Sequence, residues 1–184
     1  MLYTGAMKEI EVKFRVADKQ AVIEALQKSG VELGDEYFQD DTSYRPTGYE
    51  RGQSNINVPF LRIRREAKQT ILTMKKPVEN QLDRIEHETI IEDGDQMRMI
   101  IEDIGFKQDA RVKKHRRKTQ HKGYEICVDS VEGLGDFIEI EKLVGDDEDG
   151  VAAQAEIRKF LISLLGNDDW LEEVDRGYDV LINE

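Results

Sequence analysis

The chain has 184 residues, 36% of them charged and 39% hydrophobic, and 27 Lys and Arg against 39 Asp and Glu leave a net charge of −12. This composition reads as a soluble globular protein, long enough to bury a core of its own, whose surface repels nucleic acid and anionic membranes. The single cysteine, Cys127, excludes an intrachain disulfide, and the three histidines lack zinc-site spacing. No apolar run approaches the ~18 residues of a membrane span and the N-terminus lacks signal-peptide character. The expectations are therefore a cytoplasmic protein with no DNA partner and no membrane partner. One domain over 1–184 is expected, with Met7 an alternative start that would make 1–6 an N-terminal extension.

The first strand is expected at 8–16, where Ile10, Val12 and Phe14 alternate with Glu9, Glu11 and Lys13. Helical spacing of Ala21, Val22, Ala25 and Leu26 follows over 17–30, with Asp18 as N-cap and Gly30 as stop. A short strand, 37–44, leads into a polar loop, 45–59. Segments 60–66 and 70–77 predict a hairpin, 83–92 another strand, and 93–106 a second helix with Met97, Ile100, Ile101 and Ile104 on one stripe. Strands 110–119 and 123–130 come next, then a turn through Gly133 and Gly135 into FIEIEKL, 137–143. An acidic loop opens a third helix, 151–166, and the tail carries a short amphipathic element in which Trp170 and Tyr178 serve as anchors. The order lacks strict βαβ alternation, which favours an α+β fold dominated by antiparallel pairing.

Nearly every strand has one aliphatic and one charged face. Glu9, Glu11 and Lys13 share a side, as do Arg62 with Arg64, Thr73 with Lys75, Glu86 with Glu88, Lys114 with Arg116, Glu125 with Asp129, and Glu139 with Glu141. One such strand is an ordinary amphipathic strand; seven need a different arrangement. A closed barrel of eight antiparallel strands, charged and water-filled inside with helices packed outside, accommodates them all. Carboxylates paired without His or Cys suit hard ions with oxygen ligands, Mg²⁺ or Mn²⁺. Arg and Lys in the same cavity suit a polyanion. Together they point to a bound triphosphate, with a structural network of ion pairs as the alternative. No P-loop and no G-x-G-x-x-G is present, and Cys127, on an alternating strand, reads as packing.

These motifs resemble the CYTH superfamily, the triphosphate tunnel metalloenzymes. The resemblance runs through Glu9-x-Glu11-x-Lys13, QDDTSY (39–44), LRIR (61–64), LTMKKP (72–77), RIEHE (84–88), Lys114-x-Arg116 and, most specifically, EICVDSVEGLGDFIEIE (125–141), and so covers about 8–180. It implies an eight-stranded tunnel binding a triphosphate and a divalent metal. By position Glu9 and Glu11 resemble the metal-binding glutamates, with Glu139 and Glu141 expected to face them from the opposite wall. Lys13, Arg62, Lys75, Lys114 and Arg116 resemble the phosphate-binding bases, joined by Arg64 on the face of Arg62, while Glu88 and Asp129 fall where further acidic substrate-site residues are expected. The implied catalytic group is Glu9, Glu11, Lys13, Lys75 and Arg116. The pattern is closest to class IV adenylyl cyclase-like proteins, which turn ATP into cyclic AMP and pyrophosphate. Triphosphate hydrolysis and non-catalytic binding of a phosphorylated ligand remain open, and the resemblance is compatible with a homodimer.

Overall fold

The computed structural model describes residues 7–54, 56–145 and 147–184; the expected extension, 1–6, lies outside the described residues. Among the described residues nine strands and four helices follow the order β1 (Met7–Val16), α1 (Lys19–Lys28), β2 (Tyr37–Pro46), β3 (Phe60–Arg65), β4 (Thr70–Pro77), β5 (Asp83–Ile91), α2 (Gly94–Asp103), β6 (Phe106–His121), β7 (Tyr124–Val131), β8 (Gly135–Gly145), α3 (Gly150–Leu165), β9 (Leu171–Val174) and α4 (Tyr178–Leu181). The strands hydrogen-bond in the order β5-β4-β3-β2-β6-β7-β8-β1-β9, and a further β5–β1 pairing joins the first eight in sequence into a ring. Each pairing is antiparallel.

The ring is not a uniformly closed barrel. On one edge β1 pairs with β8 from Met7 to Arg15. On the other it pairs with β5 only over Lys8–Ile10, then with β9 over Lys13–Val16. β9 was not expected from the sequence, since LEEV is too short to show a period. β6 is longer than expected because it pairs with β2 over its first two thirds and with β7 over its last half, the stagger that strands tilted around a ring require. It turns into β7 through Lys122 and Gly123, both at positive φ, the conformation of a tight two-residue hairpin turn.

Local chemistry sets the helix starts. Asp18, Asp93 and Asp149 each accept hydrogen bonds from first-turn backbone N–H groups at the N-caps of α1, α2 and α3. The aliphatic faces of β1, β7 and β8 pack outward under α1 and α3, with Ile10, Val12, Ile126, Ile138, Ile140, Leu26, Ile157 and Leu161 forming the main core and Trp170 packed at its edge. A second outward core joins Tyr44 and Ile63 to Ile101 of α2. A third cluster lies inside the ring at one end, where the inward-facing Val112, Val131 and Phe137 meet Val174, Tyr178 and Leu181 from the C-terminal segment. Among the described residues no helix is long and apolar enough to cross a membrane.

Candidate active site

The polar strand faces enclose a cavity of about 370 Å³. Alternation brings Glu9, Glu11 and Lys13 of β1, Arg62 and Arg64 of β3, Lys75 of β4, Glu88 of β5, Lys114 and Arg116 of β6, and Glu139 and Glu141 of β8 to its wall. The interior is not charged throughout, as the sequence pattern suggested. Its far end is filled by the apolar cluster around Phe137 and Tyr178, so the tunnel is a blind cavity.

Acids and bases on the wall hold one another. Arg64 grips Asp41 bidentately at 2.8 and 2.8 Å. Arg116 does the same to Asp129 at 2.7 and 2.5 Å and also donates to Glu139. Lys13 lies 3.0 Å from Glu139 and 3.2 Å from Glu11. Arg84 donates to Glu11 and sits 3.2 Å from Glu86, which also accepts from Lys75. At the mouth Glu88 accepts from Thr73 at 2.9 Å and Arg62 at 3.2 Å.

These contacts divide the carboxylates into two kinds. Burial raises the carboxyl of Glu139, but Lys13 and Arg116 outweigh it and hold the group well below the usual range. Glu86 is likewise drawn down to about 2, against burial, by Lys75 and Arg84. Glu9 and Glu141 have no such committed partner. Burial, with Glu86 adding its repulsion, pushes Glu9 up to about 8, and burial with Glu11 and Glu125 pushes Glu141 up to about 7. Among the bases, burial brings Lys75 down to about 8 although Glu86 works against it.

Several expectations need correcting. Glu139 and Glu141 do not face Glu9 and Glu11 from the opposite wall: β1 and β8 are neighbours, with Glu11 beside Glu141 and Lys13 beside Glu139. Alternation reveals which face a residue occupies, not which strand lies next to it. Asp129 does not reach the cavity; it is fully buried behind Arg116 and Lys114, where its oxygens hold both bases and accept from Tyr178. Among the described residues no three His, Cys, Asp or Glu side chains converge closely enough to hold a metal ion. The donor set nonetheless fits a hard divalent cation in part: Glu9 and Glu141 are carboxyls without a committed base, and Glu11 Oε1 is buried with the Lys13 ammonium 3.2 Å away but no aligned hydrogen bond. Magnesium is usually bound by one or two carboxylates completed by substrate phosphate, so a full protein cage is not required. Glu139 fits less well, both its oxygens being held by bases.

Sequence reasoning missed Arg84, although it shares the parity of Glu86 and Glu88 and was readable on that ground. It left Asp41 undecided; the pair with Arg64 places it on the cavity wall. It expected Tyr178 to anchor the tail, and did not foresee that the anchor point is the inside of the ring. Cys127 is buried, and burial pushes its thiol up, away from nucleophilic use.

A CYTH domain profile matches residues 7–169. The chain belongs to the CYTH family. A protein of Methanocaldococcus jannaschii named "Putative adenylate cyclase MJ0240" is 35% identical over 142 residues, 76% of this chain and 79% of that one. Among solved structures of similar fold, the PH1819 protein of Pyrococcus horikoshii is 30% identical with a TM-score of 0.78, covering 95% of this chain and 98% of its own. A Vibrio parahaemolyticus protein described as a putative adenylate cyclase has a TM-score of 0.73 at 20% identity, covering 96% and 98%. The CYTH fold is therefore common to archaeal and bacterial chains that diverge widely in sequence.

Proposed function

We propose that this CYTH protein is a divalent-metal-dependent enzyme that binds a triphosphate along its cavity and converts ATP to cyclic AMP and pyrophosphate. The observation that carries the triphosphate reading is the convergence of seven bases, Lys13, Arg62, Arg64, Lys75, Arg84, Lys114 and Arg116, on one cavity from five strands. What supports ATP and cyclisation is the name borne by the Methanocaldococcus relative.

The ion pairs suggest how the ligand is taken up. Phosphate oxygens replace carboxylates as partners of Arg64, Arg116, Lys13 and Arg84, so the bases stay paired while the chain is aligned. Glu9 and Glu141, with Glu11 once phosphate takes its place on Arg84, are the residues that would hold Mg²⁺ or Mn²⁺. Such a cation, when bound, neutralises phosphate charge and lowers the pKa of an attacking oxygen. In cyclisation the ribose 3′-oxygen forms a bond to the α-phosphorus, the bond to the bridging oxygen breaks, and pyrophosphate departs against the bases. The hydroxyl proton needs an acceptor; burial favours the neutral form of Lys75, against the pull of Glu86, and in that form its nitrogen can take the proton.

One observation favours a second reading, hydrolysis. The cavity wall is charged almost throughout and presents little apolar surface for a base beyond Phe60, Val112, Leu143 and the Tyr178 ring. A site of that kind reads the phosphate chain and is indifferent to what is attached. Incubation with ATP and, separately, inorganic tripolyphosphate, each with Mg²⁺ or Mn²⁺, decides between them. Cyclic AMP and pyrophosphate are expected from ATP. Orthophosphate released from tripolyphosphate would replace the cyclase with a hydrolase, and protection of both ligands without conversion would make the protein a binder.

A further inference from the structure

The blind end of the cavity is built with care. Tyr178 is 7% exposed, and its ring meets Phe137 edge-on, with centroids 5.0 Å apart and an interplanar angle of 69°. Its hydroxyl donates to Asp129 Oδ2 at 3.0 Å, behind the cavity wall. On the cavity side two ammonium groups rest over the ring, Lys13 Nζ at 4.2 Å and Lys114 Nζ at 4.8 Å from the centroid. The segment carrying Tyr178 is tied down on both flanks. Lys13 donates to the Arg176 carbonyl at 3.2 Å, and Asp179 pairs at 2.6 Å with Arg45, itself buried between the rings of Tyr49 and Phe60.

We infer that Tyr178 is a specificity residue that sets the length of phosphate chain the cavity accepts. Resting on the triphosphate reading above, the inference assigns the terminal phosphate to Lys13 and Lys114, with the Tyr178 ring directly behind them. A fourth phosphate would meet Val112 on the cavity wall and, behind the Tyr178 ring, Phe137 and Val131, apolar groups that cannot solvate an anion. The same ring positions the two lysines, which reach the cavity from different strands and share one aromatic face. Linear triphosphates are thus the ligand class; tetraphosphates and longer polyphosphates are excluded by a side chain from the C-terminal segment and not by the ring itself.

The test is calorimetric titration of the full chain with inorganic tripolyphosphate and inorganic tetrapolyphosphate in metal-free buffer. Wild type is expected to prefer tripolyphosphate by at least about tenfold. Tyr178→Ala is expected to bring the two affinities within about threefold, and Tyr178→Phe, which keeps the ring, to retain the wild-type preference. Where the alanine variant does not fold, Tyr178→Leu serves instead, with the preference reduced. A wild type that binds tripolyphosphate while Tyr178→Ala keeps the same preference overturns the inference alone, as does a wild type that accepts both chains equally. A wild type that binds neither chain, in metal-free buffer or with Mg²⁺ added, overturns the triphosphate reading and the inference with it.

Discussion

The two ends of the interior are held together in opposite ways. In the middle and toward the mouth, buried charges neutralise one another: Arg116 with Asp129 and Glu139, Arg64 with Asp41, Arg84 with Glu11. At the far end the same inward-facing parity carries Val112, Val131 and Phe137, and the filling is apolar. Desolvated ion pairs often contribute little net stability compared with a hydrophobic substitute, but breaking one by removing a single partner is costly. An apolar plug stabilises through buried area and tolerates no ligand. The charged region is therefore the part of the fold that is able to exchange its partners, and the apolar end is the part that holds still.

The largest break in this contrast is Arg116→Ala. It takes from Asp129 its bidentate partner and from Glu139 one of two bases, leaving Lys114 and Lys13 as the only bases beside them in a buried site, so a loss of about 3 kcal/mol in denaturant unfolding is expected, together with loss of tripolyphosphate binding. Leu181→Ala, in the plug but away from the lysines, should cost about 2–3 kcal/mol while tripolyphosphate affinity stays at the wild-type level. Equal effects on both readouts from both variants would erase the distinction between the two ends. Glu9→Gln sharpens it from the other side. Because Lys75 and Arg84 are committed to Glu86 and Glu11, neutralising Glu9 breaks no ion pair. Stability should change by less than about 1 kcal/mol, while metal-dependent turnover falls by more than about a hundredfold. Glu11→Ala is the poorer probe, since it removes a buried partner from both Arg84 and Lys13, leaving them Glu86 and Glu139 alone, and confounds folding with function.

The smallest effect is in the pH dependence. Burial raises the carboxyls of Glu9 and Glu141 in the folded protein to about 8 and about 7, above the ordinary glutamate value of 4.5, so the folded state binds more protons than the unfolded one in that window. Their contribution to stability is present in acid and is lost as pH rises from about 4.5 toward 8. Metal competes for the same oxygens, so Mg²⁺ affinity should rise with pH between 6 and 8 and level off above. Calorimetric Mg²⁺ titrations across that range check it, and Glu9→Gln should flatten the slope. A pH-independent affinity would remove these two carboxyls from the metal site.

Much of this site was legible in the sequence because a strand's period of two is local. Glu9, Glu11, Lys13, Lys75 and Arg116 could be assigned to a polar face by counting alone, and the structure brings all five to one cavity. Local counting cannot say which strands adjoin. Hence Glu141 was expected across from Glu11 and is beside it, and the swap of β1 from β5 to β9 was invisible. Asp129 kept the parity of a wall residue yet lies hidden, because parity gives direction and not depth. The plug was the least legible part. Val112, Val131 and Phe137 sit on charged faces as apolar exceptions, and only the returning C-terminal segment explains them.

The brief contact between β1 and β5 has a mechanical consequence. A hoop fails at its narrowest join, and here the strand pairing ends at Ile10, followed by one last backbone hydrogen bond from Glu11 N–H to the Leu82 carbonyl at 2.9 Å. Just beyond it Arg84 reaches across from β5 to Glu11 on β1, a side-chain clasp where the main-chain stitching stops. Both halves of that clasp are groups that a phosphate or a cation would compete for. On the triphosphate reading, loading the cavity would open this clasp and leave the short backbone pairing to hold the seam alone, so amide exchange along Asp83–Ile85 would gauge occupancy without any turnover.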